Sequence, residues 1–505
     1  MEPMRHVNPS TNIGGCLTRR AWLRNASWLV GAIPFPNVMK LSMQSQESAT
    51  NGSSVNTVMD KLSNYMSEAR NHALPYEVIE AAKLHILDTL AAMISGSELP
   101  PGRRAIQFAH SYGGERIATV VGSNILCGPI EAALTNAMLA QSDETDDSHP
   151  ASLSHPGCSI IPAALAAGER FGINGTHFVR AVTLGYDIGP RVTMTLGGWD
   201  FVLKGHRSTH SVAGVFGSAA AAGCAASLTV QQMRWLLDYT AQESSGLAAW
   251  QRDTEHIEKA FVFAGMPAQG GITAALVVQS GWTGVDDILS GTDNFLLAYA
   301  PTADPAKLID KLGEHYIVAE TNIKKWSVGS PIQAPLDALE NILKRPPFEV
   351  DQVQEVTVRL ATHEAATVSH CEMPDICLQY MVAVMMIDKT AGFHAAHDKA
   401  RMQDPSVLNQ RAKVKLIPDE ELQRLLPQRV AIVDVLLSDG THLTERVQAV
   451  RGTPDNPMTR DEVVSKARDL IIPVLGDGVC NKLVDSVLNI ESAKDVRDLR
   501  PLIQK

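Results

Sequence analysis

The chain has 505 residues, 45% hydrophobic and 20% charged, with a formal net charge of -11. That composition excludes a mostly disordered chain and argues against a general nucleic-acid binder, and the length allows about two to four ordinary domains, or one large and one small. No apolar run approaches the ~20 residues of a bilayer-spanning helix, and the seven cysteines (16, 127, 158, 224, 371, 377, 480) form no CxxC pair, which leaves no sign of a disulfide scaffold or a thiolate zinc site.

Residues 1–56 read as a leader. Thr18-Arg19-Arg20-Ala21-Trp22-Leu23-Arg24 precedes a modest apolar stretch at 28–38 and resembles a twin-arginine export signal, but no A-x-A cleavage site follows. A periplasmic protein exported by this signal and a cytoplasmic protein with a plain leader both stay open. Residues 42–56 are rich in Ser, Gln and Asn and read as a flexible linker.

From Pro75 the pattern is helical. Apolar residues at 79, 82, 86, 87, 90, 93 and 94 keep helical spacing to residue 95, Gly96 reads as a C-terminal stop, and Pro100-Pro101 enforces the break. Further helices are predicted at 128–141, 160–171, 176–186, 212–227, 230–243, 268–279 and 331–343. The 212–227 stretch contains Gly-Ser-Ala-Ala-Ala-Ala-Gly, and side chains that small predict a buried central helix.

The pattern then changes. Residues 351–360 alternate (Val353, Val356, Val358, Leu360) and predict a strand. Residues 430–437 and 441–447 predict a β-hairpin, with Asp439-Gly440 supplying the positive φ angles of a tight turn. Residues 378–388 and 393–400 are predicted helical. Helix returns over 459–491, opened by Thr459 with Glu462 three positions on, a capping-box pattern. The expected fold class is mainly α: a large helical domain from 57–318 and 456–505, with a smaller α+β lid domain, 319–455, inserted.

Three clusters carry chemistry. The first is Asp143-Glu144-Thr145-Asp146-Asp147-Ser148-His149-Pro150, closed by His155-Pro156-Gly157. Carboxylates this dense repel one another, so they bind cations, orient a histidine, or are simply solvated as a charged helix end. The second is Lys204-Gly205-His206-Arg207-Ser208-Thr209-His210, leading into the Ala-rich helix. A histidine ahead of a helix start is kept neutral by the positive helix end and can act as a base near pH 7; the plain alternative is a pair of surface histidines. The third is Asn322-Ile323-Lys324-Lys325-Trp326-Ser327-Val328-Gly329-Ser330-Pro331, a carboxylate or phosphate cradle or else two surface lysines. A rival reading takes His394-Ala395-Ala396-His397-Asp398, two histidines on adjacent helical turns, as part of a metal-dependent hydrolase, although no His-Glu-x-x-His set accompanies it. A binding protein without catalysis is a third reading.

In order and spacing the three clusters resemble the MmgE/PrpD family over about residues 58–490. Leu74-Pro75 through Leu87-Asp88 is similar to the family's opening helix, and Gly185-Tyr186-Asp187 to its Gly-Tyr-Glu. The family includes 2-methylcitrate dehydratase, cis-aconitate decarboxylase and iminodisuccinate epimerase. The resemblance implies a homodimer without metal or cofactor, with the active site between a helical domain and a lid. It puts Glu144 where the family often has aspartate, and Ser148 where it often has threonine. His155 matches the histidine closing the acidic loop. His210, with His206 as fallback, matches the histidine before the Ala-rich helix, and Lys324 the lysine two residues before an aromatic, here Trp326. Lys259 fits the family's Lys-Arg-x-His-x-Gly pattern only with a one-residue shift, and the arginine and histidine of that pattern are absent. Tyr380, in Leu378-Gln379-Tyr380, resembles a substrate-side tyrosine.

The implied chemistry is proton removal next to a carboxylate, which needs a base and a cation to hold the developing dianion. Lys259 and Lys324 clamp carboxylates. His155 or His210 exchanges the proton, and Asp146 or Asp147 orients an imidazole. Loss of water, as in a 2-methylcitrate dehydratase, is the first expectation for a small polycarboxylate substrate. Loss of carbon dioxide or return of the proton to the other face are the alternatives. His155, His210 and Lys324 are expected to converge on one interdomain cleft.

Overall fold

The computed structural model describes residues 52–505 apart from Pro346, and these belong to one packed unit. The twin-arginine pattern at 18–24 and residues 42–51 of the expected linker lie outside the described residues. The rest of that linker is not linker: the first helix is Gly52–Glu68.

The helical periodicity translates into helices Tyr76–Gly96, Pro129–Ala140, Gly157–Phe171, Gly175–Thr195, Thr209–Ala225, Val230–Glu243, Met266–Gln279 and Ser330–Leu343. Two local readings need correction. Pro100-Pro101 does not merely end a helix. It fills the first turn of the next one, Pro100–Tyr112, where a missing N–H costs nothing. The helix does stop at Gly96, but without the left-handed conformation, since Gly96 is not among the positive-φ glycines. A Cβ there would lie 2.0 Å from the Leu139 carbonyl oxygen, so close helix approach is what demands glycine.

Thr209–Ala225 is buried along nearly its whole length and is flanked by Gly175–Thr195, Gly157–Phe171 and Met266–Gln279. The buried apolar side chains form two large clusters. One draws on residues 58–318 together with 467–503. The other draws on residues 326–450. Helix Arg460–Leu475 is opened by the Thr459–Glu462 capping box, both hydrogen bonds of which are present, and packs on Tyr76–Gly96.

Strands Ala118–Thr119 (β1) and Leu126–Cys127 (β2) make a small hairpin. The second cluster is built on a four-stranded sheet of Val353–Ala361 (β3), Val414–Asp419 (β4), Ala431–Leu437 (β5) and His442–Val447 (β6), in the order β4-β3-β5-β6. β4 pairs parallel to β3; its polar, proline-containing Val-Lys-Leu-Ile-Pro-Asp sequence shows why alternation does not reveal it. The β5–β6 turn differs from the expected two-residue type. Only Gly440 has positive φ, at 86°, and Leu437 donates to the Thr441 carbonyl, so Ser438-Asp439-Gly440 forms a three-residue turn closed by a glycine bulge.

The stretch Ile257–Gln279 runs 23 residues and is apolar enough to cross a bilayer by length and composition, which the sequence reading did not anticipate. In the fold 67% of its apolar window is buried, as in a core helix.

Candidate active site

The acidic loop follows helix Pro129–Ala140, and its four carboxylates are all buried. Burial is tolerated because each turns to a different partner. Asp143 accepts from Thr145 and lies 3.1 Å from His397 Nε2. Glu144 pairs with Lys259 and lies 3.5 Å from Lys324 Nζ. Asp146 lies 2.9 Å from His155 Nδ1 and 3.3 Å from Lys324 Nζ. Asp147 accepts 2.6 Å from the Tyr186 hydroxyl and 2.9 Å from the Gly157 N–H, and sits 3.0 Å from His85 Nδ1. A Cβ on Gly157 would meet the Tyr186 hydroxyl at 2.5 Å and Asp147 at 2.7 Å, so only glycine lets the helix start beneath this pair. From behind, Lys466 donates to the Thr145 carbonyl at 2.9 Å and pairs with Asp88 at 2.7 Å.

Backbone pairing brings the third cluster to the first. Ser148 and Asn322 exchange N–H···O bonds of 3.1 and 2.8 Å, which delivers Lys324 onto the loop, where it also donates to the Glu144 carbonyl at 3.0 Å. The second cluster arrives through His210, whose ring centroid is 5.0 Å from that of His155. His210 lies inside the first turn of its helix rather than ahead of it, because Ser208 is the N-cap. Phe263 stacks on His210 at 3.7 Å and faces His155 at 5.7 Å, and Trp250 meets Phe263 edge-on at 4.4 Å. Lys259 Nζ stands 5.1 Å from the Phe263 centroid and 5.6 Å from that of Trp250.

The helix that follows Lys259 is irregular at its start. Residues Phe261–Gly265 form a π-helical turn between Ile257–Ala260 and Met266–Gln279. A π turn absorbs one extra residue without breaking the helix. It follows Lys259, which pairs with Glu144.

The electrostatics follow from burial and pairing. Burial pushes the Asp146 carboxyl up, and despite the pull of Lys324 it titrates at about 7. Burial would raise Glu144 too, but Lys259 and Lys324 hold it well below the usual carboxylate range. Burial pushes His155 and His210 well below the ordinary imidazole value, reinforced by Lys324 at His155 and by His155 at His210. Lys324 resists burial because Asp146 and Glu144 raise it. Near neutral pH this gives two cationic lysines, two neutral imidazoles, and a carboxyl poised to gain or lose a proton.

Most of the cluster is sealed, but 12% of the His155 side chain, 14% of Lys259 and 17% of His397 remain exposed. A cavity of about 520 Å³ opens beside Lys324, lined by residues 148–151, 320, 322–324 and 427–429 and by 448–451.

The structure therefore brings together Glu144, Asp146, His155, His210, Lys259 and Lys324. Asp147 orients an imidazole, but that of His85. Ser148 joins through its backbone, with its Oγ 3.5 Å from Asn322 Nδ2. Two expected residues stand apart. His206 is exposed, in a left-handed turn at φ 53° that ends helix Trp199–Gly205. Tyr380 is fully buried in the second apolar cluster, and its hydroxyl donates to the Ala395 carbonyl at 2.8 Å, supporting the short helix Phe393–His397. Lys325 leaves the cradle for Glu340, at 2.6 Å.

The histidine pair behind the hydrolase reading is split. His394 is exposed, whereas His397 binds Asp143, which holds its pKa at about 9 against the effect of burial. His397 and His85 were missed as site-supporting residues because their partners are 254 and 62 positions away; only the surplus of carboxylates signalled that distant cations must exist.

A family model for the MmgE/PrpD N-terminal domain matches residues 60–307, and one for the MmgE/PrpD C-terminal domain matches residues 326–490. A cis-aconitate decarboxylase of Aspergillus terreus is 25% identical over 486 residues, covering 88% of this chain and 96% of the relative. A human cis-aconitate decarboxylase is 26% identical over 460 residues, covering 85% of this chain and 90% of the relative. The two family matches span most of the folded chain one after the other, and the chain belongs to the MmgE/PrpD family.

Proposed function

We propose that the chain is a lyase acting on a small polycarboxylate, and that it releases carbon dioxide from an unsaturated substrate of the cis-aconitate type. The observation that carries the reading is the line Lys324–Asp146–His155, with 3.3 and 2.9 Å between successive groups: a cation, a carboxyl titrating near neutrality and an imidazole. The names of the relatives favour decarboxylation over the dehydration first expected from the sequence.

Lys259 and Lys324 exchange Glu144 and Asp146 for substrate carboxylates, since a bound dianion competes for the same cations. As the C–CO2 bond breaks, its electron pair moves into a new C=C bond and the far alkene carbon takes a proton. The Asp146–His155 pair supplies that proton, and the lysines hold the negative charge that develops. Run as a base, the same pair abstracts a proton next to a carboxylate, and loss of water makes the site a dehydratase. We take residues 319–455 as a lid that admits substrate over the acidic loop, and the chain as a homodimer, on the family resemblance.

The test is turnover of purified protein against cis-aconitate, 2-methylcitrate and iminodisuccinate, followed by NMR in D2O. Carbon dioxide release with deuterium at one carbon supports the decarboxylase reading. Water loss from 2-methylcitrate alone would shift the assignment to a dehydratase, and inertness toward all three would remove it. Light scattering of the same sample tests the dimer.

A further inference from the structure

His256 lies in the same region with no role assigned by the chemistry above. It immediately precedes Ile257–Ala260, three residues ahead of Lys259, and is 5% exposed. Neither of its ring nitrogens has a hydrogen-bond partner among the described residues. His155 and His149 are hydrogen-bonded, to Asp146 at 2.9 Å and to Ser152 at 2.8 Å, and His85 and His397 lie 3.0 and 3.1 Å from the Asp147 and Asp143 carboxylates. His210, stacked on Phe263, also has an Nδ1 without a hydrogen-bond partner among the described residues, but only His256 lacks one at both nitrogens. A buried imidazole kept for structure alone normally satisfies at least one nitrogen, because desolvating both without return is unfavourable.

The backbone points the same way. His256 holds φ at 62°, in the left-handed region that non-glycine residues adopt at a cost and that clusters at ligand sites. It stands three residues ahead of Lys259, and the groups that act on its charge are Lys259, Glu144, Asp143 and Asp146. Burial lowers its pKa to about 4, so near neutrality it carries one N–H donor and one acceptor.

We propose that His256 is a substrate-binding residue that donates a ring N–H to an oxygen of the carboxylate held by Lys259, and so fixes specificity at that end of the site. The inference rests on the polycarboxylate reading above. It assigns the Lys259 carboxylate a second, neutral donor.

The test uses the full chain with His256→Gly and His256→Asn. Glycine relieves the left-handed backbone, so that variant should melt no lower than wild type; asparagine tolerates the same φ and keeps an N–H donor. With cis-aconitate, His256→Gly should lose at least about tenfold in kcat/KM, mainly through KM. His256→Asn should recover part of the loss, and added imidazole should restore part of the glycine variant's activity. A glycine variant within twofold of wild type, while wild type turns over, overturns this inference alone. If wild type turns over no polycarboxylate, calorimetric titration with cis-aconitate decides. Binding by wild type but not by His256→Gly upholds the role; equal binding overturns it, and no binding to either overturns both readings.

Discussion

Replacing Asp146 by asparagine should make the protein more stable and nearly inactive at once. The Asp146 carboxyl is fully buried and titrates at about 7 in the fold, against 3.8 for an ordinary aspartate. A raised folded-state pKa means that stability is fully present below the unfolded value and is lost as pH rises through the folded value. Each unit corresponds to about 1.4 kcal/mol, so ionised Asp146 weakens the fold by up to about 4 kcal/mol above pH 7 and by about 0.5 kcal/mol at pH 4. Asparagine does not titrate, can still accept from His155, and leaves Lys324 on the Glu144 carbonyl and carboxylate. The stability gain of Asp146→Asn should grow between pH 4 and pH 7 and then level off, measured as urea midpoints across that range. Turnover should fall by about a hundredfold or more, because the pair loses its exchangeable proton. A variant less stable than wild type at pH 8 would mean that Asp146 is an ordinary ionised partner of Lys324. Turnover within threefold would take the reaction away from the Asp146–His155 pair.

His155→Ala should lower kcat by roughly a hundredfold with a small change in melting temperature, since its ring is partly exposed; a large melting shift with normal kcat would make it structural. Lys324→Met should weaken substrate binding and also destabilise the protein by about 3–5 kcal/mol at pH 8, because it strips a buried cation from Glu144 and Asp146. That loss should shrink at pH 5, where Asp146 is protonated, and a melting point independent of pH would count against the pairing. His397→Gln removes a histidine whose pKa is raised from 6.5 to about 9. Its contribution of about 3 kcal/mol should be fully present below pH 6.5 and fade as pH rises through 9. Hydrogen exchange over Phe393–His397 would follow it, and a difference undiminished at pH 10 would refute the Asp143 contact as its source.

The local elements were legible because they depend on neighbours in sequence. Apolar spacing located Tyr76–Gly96, the Thr459–Glu462 pair located the start of Arg460–Leu475, alternation located β3, and the Asp439-Gly440 turn located β5 and β6 on either side of it. The acidic loop, His155, the Lys324 turn and the family were legible for a related reason: each is a run of unusual residues whose order survives without coordinates. Tertiary structure decided whatever depends on distant partners. It chose His210 over His206, because only the residue within the helix turn points at His155 and Phe263 while its neighbour ends a surface helix. It turned Tyr380 toward the Ala395 carbonyl, and it hid β4, whose place depends on β3 rather than on its own pattern. It also assigned the acidic loop. Sequence alone shows four carboxylates in five positions, but which one meets a lysine, which a histidine and which a helix N–H is set by chain segments up to 254 residues away. Those partners fix each proton's affinity, and so the chemistry of the site.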